Sequence, residues 1–321
     1  MLFSSNIFIW IFLPFTLFLY YLIHFVWPEE KVKLAIKNIL LTLMSLLFYA
    51  WGGVGYLFIM LASIVTNYIA GLIIGKNDDK QNIRKTVLIF AVLINIGMLF
   101  YYKYFNMFVA IVENIIAGKD VWQNILMVKR TYSFSFKDVV LPIGISFFTF
   151  QALSYVIDVY RRVVEYQKNI IDFALYVSFF PQRIAGPIVK YKDIKEYISN
   201  RKESIDLFVE GIKRFCYGLG KKVILANTFA EVVDSVWGLE INNIGALLSI
   251  VTCILYALQL YYDFSGYSDM AIGLGKMFGF KIEENFNYPY ISLSITEYWR
   301  RWHISLSTWF KEYIYIPLGG N

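Results

Sequence analysis

Two histidines occur in the chain, and only one keeps company suited to chemistry. His303 lies in SITEYWRRWHISLSTWFKEYIYIPLGGN, among Trp299, Arg300, Arg301, Trp302, Ser305, Ser307 and Trp309. A neutral imidazole with an ordinary pKa of about 6.5 accepts and returns a proton near neutral pH. A guanidinium beside it steadies negative charge as it develops on an oxygen, and Arg300 is the nearest candidate. The competing reading is a histidine that only packs. The arginine pair and hydroxyls, set in an otherwise apolar chain, favour chemistry. His24 ends an apolar run beside Trp27, where an interfacial histidine needs no special role.

Something must hold His303 in place. Ser294 followed by Glu297 is a capping box, which predicts a helix from Ile295. Pro317, Gly319 and Gly320 should end it. A helix of about 22 residues would be about 33 Å long, enough to cross a bilayer. On it, Thr296, Trp299, Arg300, Ser307 and Phe310 would share a face with His303. Arg301, Ser305, Thr308 and Glu312 would lie opposite. Charge in mid-span is costly unless it faces protein or water.

The whole chain supports a membrane setting. It has 321 residues, 58% hydrophobic and 17% charged, with mean hydropathy +0.53. Globular chains carry about 25% charged residues. These values predict an all-α, multi-pass membrane protein built as one integral-membrane domain over residues 1–321. The net charge of +6 is spread as small basic groups between apolar runs. That is the positive-inside pattern and offers no basic stripe for nucleic acid. Cys216 and Cys253 read as buried thiols, with neither disulfide framework nor metal spacing. Residues 1–23 carry no charge, so the N-terminus reads as an uncleaved first span rather than a signal peptide.

In chain order, spans are expected at Asn6–Trp27, Leu34–Trp51, Val54–Ile74 and Thr86–Tyr102, the last continuing as helix to Ile116. Charged loops are expected at Glu29–Lys37 and Lys76–Lys85, and an outer loop at Lys119–Lys137. The charge alternation places the N-terminus outside and residues 28–37 and 75–85 inside. Val139–Tyr160 is the next expected span. Gln151, Ser154, Tyr155 and Asp158 form one polar stripe along it, either bonding to a neighbouring helix or lining a pathway. Pro181, Gly186 and Pro187 should break Ile170–Val189 into a re-entrant or in-plane element. Lys190–Lys202 is polar, with Asp193 in a solvated loop, and Ile205–Trp237 is an amphipathic helix with a basic middle. Ile244–Tyr262 is a span that runs into Asp263, Ser265 and Asp269 among glycines. Asp263 either caps a following helix or, with Asp269, lines a polar cavity. No phosphate loop, nucleophile elbow or paired metal-ligand motif is present.

Five stretches together carry a resemblance: LPIGISFFTFQALSYVIDVYR, SFFPQRIAGPIVKY, LQLYYDFSGYSDMAIGLGKMFGF, NFNYPYI and EYWRRWHISLSTWFKEYIYIPLGGN. They cover most of residues 141–321 and resemble the membrane-bound O-acyltransferase family, in its bacterial polysaccharide-acetylating branch. Residues 1–117 resemble it mainly in hydropathy, so the family's core motifs occupy 139–321. The resemblance implies a ring of tilted membrane helices with re-entrant elements around a thinned centre. It implies transfer of an acyl group from a cytoplasmic thioester, acetyl-CoA or an acyl carrier, to hydroxyls of an extracytoplasmic polysaccharide. No bound cofactor or metal is implied. The expected surroundings are membrane lipid of the cell envelope and an extracytoplasmic acetyltransferase partner. His303 matches the first of two family histidines. The second belongs to a Gly-Leu-Trp-His-Gly-like motif expected beyond Asn321, so the core is expected to be incomplete at its C-terminal side. Trp299, Arg300, Ser307, Gln151, Asp158, Asp263 and Asp269 are the candidate lining of the site. Two alternatives stay open: D-alanyl transfer to teichoic acid, and a transporter, which broken helices and membrane-depth polar groups suit equally well.

Overall fold

The computed structural model describes residues 1–116, 141–142, 144–183, 186–240 and 244–320. The expected outer loop at Lys119–Lys137 lies outside them. Among the described residues the structure is helical, without a strand. Five helices among the described residues are long and apolar enough to cross a membrane. The protein is therefore an all-α, multi-pass membrane protein. It divides into two compact units, residues 1–57 with 167–321, and residues 58–166.

The first unit opens with a π-helical turn, Phe8–Phe12, that runs into α1, Leu13–Val26. Helix α2, Glu30–Ala50, follows after three residues. Its start corrects the loop expected at Glu29–Lys37, because the lysines there are helical. Lys33 and Lys37 turn inward, and each is neutralised, by Glu30 and Glu203 respectively. A buried ammonium is tolerated only when paired in this way. Phe3, Phe8, Phe12, Phe48, Phe180 and Phe278 pack ring against ring at the centre of this unit.

Helix α3, Val54–Lys76, contains the boundary between the units. The second unit continues with α4, Gln81–Leu99, a π-helical turn at Phe100–Tyr104, and α5, Phe105–Ile116. The loop expected at Lys76–Lys85 is thus only residues 77–80. Arg84 is helical, buried, and ion-paired with Asp78. It also donates through Nη2 to the carbonyls of Tyr160 (2.7 Å) and Val159 (3.3 Å). Those are end carbonyls of α6, Ile145–Tyr160, and a cation there satisfies them and complements the helix dipole. Helix α6 begins later than the span expected from Val139, since Gly144 adopts a left-handed conformation (φ 74°) before it. Asn67 and Asn95 exchange hydrogen bonds of 3.2 and 2.8 Å between α3 and α4. Reciprocal amide pairing of this kind satisfies polar groups within apolar helices.

The first unit resumes with α7, Ile170–Ser178, and a single 3₁₀ turn, Phe180–Gln182. The break expected before Val189 is present. Helix α8, Tyr191–Ser199, replaces the expected loop, and Asp193 is half-buried in its first turn rather than solvated. Helix α9, Ile205–Gly220, runs through a π-helical stretch, Lys221–Ala226, into α10, Asn227–Trp237. Helix α11, Ala246–Met277, is continuous for 32 residues. Asp263 therefore lies within a helix and caps nothing. Cys216 and Cys253 are free and exposed, not buried. Apolar residues facing lipid and apolar residues facing protein look alike in a sequence, so apolar surroundings alone do not place a thiol inside.

Helices α9 and α11 approach at backbone distance through Gly211 and Gly218 on one and Gly266 and Gly273 on the other. A Cβ on Gly273 would stand 2.6 Å from the Gly211 carbonyl oxygen and the Phe215 nitrogen. Backbone cannot yield as a side chain can, so Gly273→Ala is expected to cost about 1–3 kcal/mol. Gly220→Ala is the control, because nothing lies within 4 Å of its Cβ position. Thermal melting in detergent should show a lower midpoint for the first variant only. Equal midpoints would mean the helices separate freely.

Candidate active site around His303

The helix expected from Ile295 is two helices. The capping box forms as read: Ser294 Oγ accepts from the Glu297 N–H at 3.1 Å, and Glu297 returns to the Leu293 N–H at 3.0 Å. But α12, Ile295–Arg301, ends after seven residues. His303 adopts a left-handed conformation (φ 45°, ψ 55°), and α13, Ile304–Phe310, starts anew and runs into a π-helical turn, Lys311–Tyr315. Left-handed backbone costs a non-glycine residue about 1–2 kcal/mol. Two bonds to a distant segment offset it. The Ile304 N–H donates to the Asn285 carbonyl at 3.0 Å, and the Asn287 N–H donates to the Arg301 carbonyl at 2.9 Å. Residues 285–287 thus clamp the turn on both sides.

The break reassigns the faces. Ser305, expected opposite His303, is beside it, with Oγ 3.4 Å from Nδ1. The Ser307 backbone N–H donates to the His303 carbonyl at 3.1 Å. Trp299 and Arg300 are exposed on α12, and the wheel that joined them to His303 does not exist across the turn. Asp263 and Asp269 are ion-paired with the α9 side: Asp263 with Lys222 at 2.7 Å, and Asp269 with Arg214 at 2.8 Å and Lys221 at 2.7 Å. Gln151 and Asp158 are buried along α6 in the second unit, with Ser154 and Tyr155 of the same stripe.

What surrounds His303 is centred on Asn285, the first residue of the NFNYPYI stretch, which was not among the candidate site residues. Asn285 is completely buried. Its Oδ1 accepts from the Ser305 N–H (3.2 Å) and the Ser305 hydroxyl (2.8 Å), and lies 3.1 Å from His303 Nδ1. Its Nδ2 donates to Ser268 Oγ on α11 at 3.0 Å. The Ser305 N–H can only donate, so the amide atom facing it is the oxygen. An amide oxygen only accepts, so His303 Nδ1 carries the proton of the neutral ring. The Nε2 lone pair is therefore left without a hydrogen-bond partner among the described residues. The same Ser305 Oγ accepts from the Ile188 N–H at 2.9 Å, which ties the broken element after Pro187 to the site. Phe264 meets the imidazole edge-on at 4.7 Å, and Trp302 packs into the rings of Phe286 and Tyr298.

His303 is buried and lies outside the five long apolar helices. Burial disfavours the imidazolium and lowers its pKa from 6.5 to about 4. The ring is neutral at pH 7. Among the described residues no group of three or more histidines, cysteines and carboxylates could hold a metal.

The profile of the membrane-bound O-acyltransferase family matches residues 107–321, two thirds of the chain, with this turn inside the match. The chain belongs to the membrane-bound O-acyltransferase family. It is 44% identical over all 321 residues to a probable alginate O-acetylase, AlgI, of Pseudomonas aeruginosa, covering 58% of that protein. It is 35% identical to a peptidoglycan O-acetyltransferase of Helicobacter pylori, over 100% of this chain and 62% of the relative. A teichoic acid D-alanyltransferase of Bacillus subtilis is 31% identical over 54% of this chain and 45% of its own. The chain thus spans 58–62% of the first two relatives' length. The histidine of WRRWHISLS, inside the matched residues, is the one whose ring Nδ1 faces Asn285.

Proposed function

We propose that the full-length protein, in the cell membrane, transfers an acetyl group from a cytoplasmic thioester, acetyl-CoA or an acyl carrier, to hydroxyls of an extracytoplasmic polysaccharide. An extracytoplasmic acetyltransferase partner would complete the delivery. The observation that carries this reading is the orientation of His303, whose Nε2 lone pair is free in a chain 44% identical throughout to a probable alginate O-acetylase. In the reaction the hydroxyl oxygen bonds to the thioester carbonyl carbon. The carbon–sulfur bond then breaks, and the hydroxyl proton passes to the departing thiolate.

The geometry suggests how His303 takes part. A ring whose conjugate acid has a pKa of about 4 accepts a hydrogen bond readily but holds a proton poorly at pH 7. Its Nε2 would orient the reacting hydroxyl and share its proton as the bond forms. The resemblance assigns the main proton transfer to a second histidine, in a motif that these 321 residues do not contain. Trp299, Arg300 and Ser307, on the helices to either side of His303, remain candidate lining, and Gln151 and Asp158 are buried polar residues of the second unit. Asp263 and Asp269 are proposed to hold α9 against α11.

Membranes containing the full-length protein should consume acetyl thioester only when polysaccharide acceptor is supplied. Transfer of D-alanine in its place would favour the teichoic acid reading, supported by the 31% identity over 54% of the chain. Movement of substrate with no thioester consumed would favour a transporter.

A further inference from the structure

The first unit holds a cavity that brings several cations together. It has a volume of about 910 Å³ and opens where α1 hands over to α2 and α8 to α9. Lys31, Lys33, Lys37, Arg201 and Lys202 line it, against the carboxylates Glu30 and Glu203, a formal excess of three positive charges. Its apolar wall is Tyr21, Leu34, Ile205 and Phe208.

The cations differ in kind. Arg201 is fixed: Nε donates to Tyr20 Oη at 2.8 Å and Nη1 to Asn38 Oδ1 at 3.1 Å. Lys37 is fixed by Glu203 and by the Tyr20 ring, whose centroid is 4.7 Å from Nζ. Lys33 is buried, yet its ion-pair partner is the well-exposed Glu30. Lys31 and Lys202 are exposed and make no ion pair among the described residues. The floor is thus rigid and the rim has spare charge. The first turns of α2 and α9 border the cavity, and α2 has no side-chain cap. Helix N-termini carry partial positive charge and unfilled N–H donors, which suit an anion.

The cavity's level in the membrane narrows the chemistry. The continuous helix Phe8–Val26, which ends in α1, and α2 are both long enough to span, so the turn between them sits at one membrane surface. The basic residues at 31–37 assign that surface to the cytoplasmic side. We propose that this cavity binds the phosphate of an anionic amphiphile, with its apolar part along Tyr21, Leu34, Ile205 and Phe208. A phospholipid headgroup fits both walls, and a free phosphate ester shares only the charged one.

The test uses the full-length protein in nanodiscs and the variant Lys31→Gln with Lys202→Gln, whose exposed side chains leave the fold intact. Native mass spectrometry reads retention of phosphatidylglycerol against phosphatidylcholine. A separate titration reads inorganic phosphate. A basic residue near an anionic surface contributes about 1 kcal/mol, so each lysine removed should weaken phosphatidylglycerol retention about fivefold. The corresponding double arginine variant should keep it. If only inorganic phosphate binding falls, the phosphate site stands and its source is soluble. If the parent prefers neither probe, or the glutamine variant matches the parent for both, the proposal is wrong. None of these readings depends on acyl transfer.

Discussion

Replacing His303 with Ala is expected to lower acyl transfer by the full-length protein about 10²–10⁴-fold, the usual worth of a proton-handling side chain. The protein should still insert and purify. His303 is one of several groups on Asn285 Oδ1; the others, the Ser305 N–H and hydroxyl, remain after truncation. The clamp on the turn is backbone to backbone and also remains. Ala must hold the left-handed conformation at φ 45°, so a modest loss of thermal stability should accompany the loss of rate. His303→Asn separates the two effects, because asparagine tolerates that conformation well. It should recover the melting temperature and not the rate. Acetylation near the parent level in both variants would return His303 to a packing role.

How far the sequence foretold this site depends on which forces are local. The long helices were legible because an apolar run of span length needs only its own residues to be recognised. Ser294 and Glu297 were legible for the same reason, since a cap is settled within four residues. The turn at His303 was not. Nothing between Ile295 and Phe310 is glycine or proline, and the left-handed backbone is held from Asn285 and Asn287, some 14–20 residues away. Periodicity carries no trace of such a bond. The same holds for Lys37 and Arg84, which read as loop charges. Both are helical and buried, and Glu203 and Asp78 neutralise them there. The span expected to end at Tyr262 continues as helix, and the glycines after Asp263 let α11 meet α9 at backbone distance. A glycine's meaning depended on a helix that the local pattern does not show.

Asn285→Asp is expected to change the pH dependence of the reaction more than its maximum rate. The replacement keeps shape. One carboxylate oxygen can accept from the Ser305 N–H and hydroxyl, as Oδ1 does now. The other faces Ser268 Oγ, whose hydroxyl can turn to donate. The Nδ1–H tautomer is retained, so Nε2 stays available. What changes is charge. A carboxylate 3.1 Å from Nδ1 favours the imidazolium, and an opposite charge at that range raises a pKa by about 1–3 units. The ring would then titrate at about 5–7 instead of about 4. The sign follows from the active form being neutral. In the parent, His303 stays neutral down to about pH 5, so its protonation leaves the rate unchanged between pH 8 and 6. In the variant, the imidazolium gathers as pH falls through 7, Nε2 acquires a proton, and the rate drops. Rates at pH 8 should be close, and the acidic limb should move up by about 1–3 units. Asn285→Ala, which strands the Ser305 donors at a cost of about 1–3 kcal/mol, should lose stability and rate at every pH without moving the limb. Measuring acetyl transfer from pH 5 to 8 for the three proteins decides between the readings. If Asn285 only packs, the aspartate profile will overlay the parent's, and the orientation of His303 by Asn285 will have no part in the chemistry.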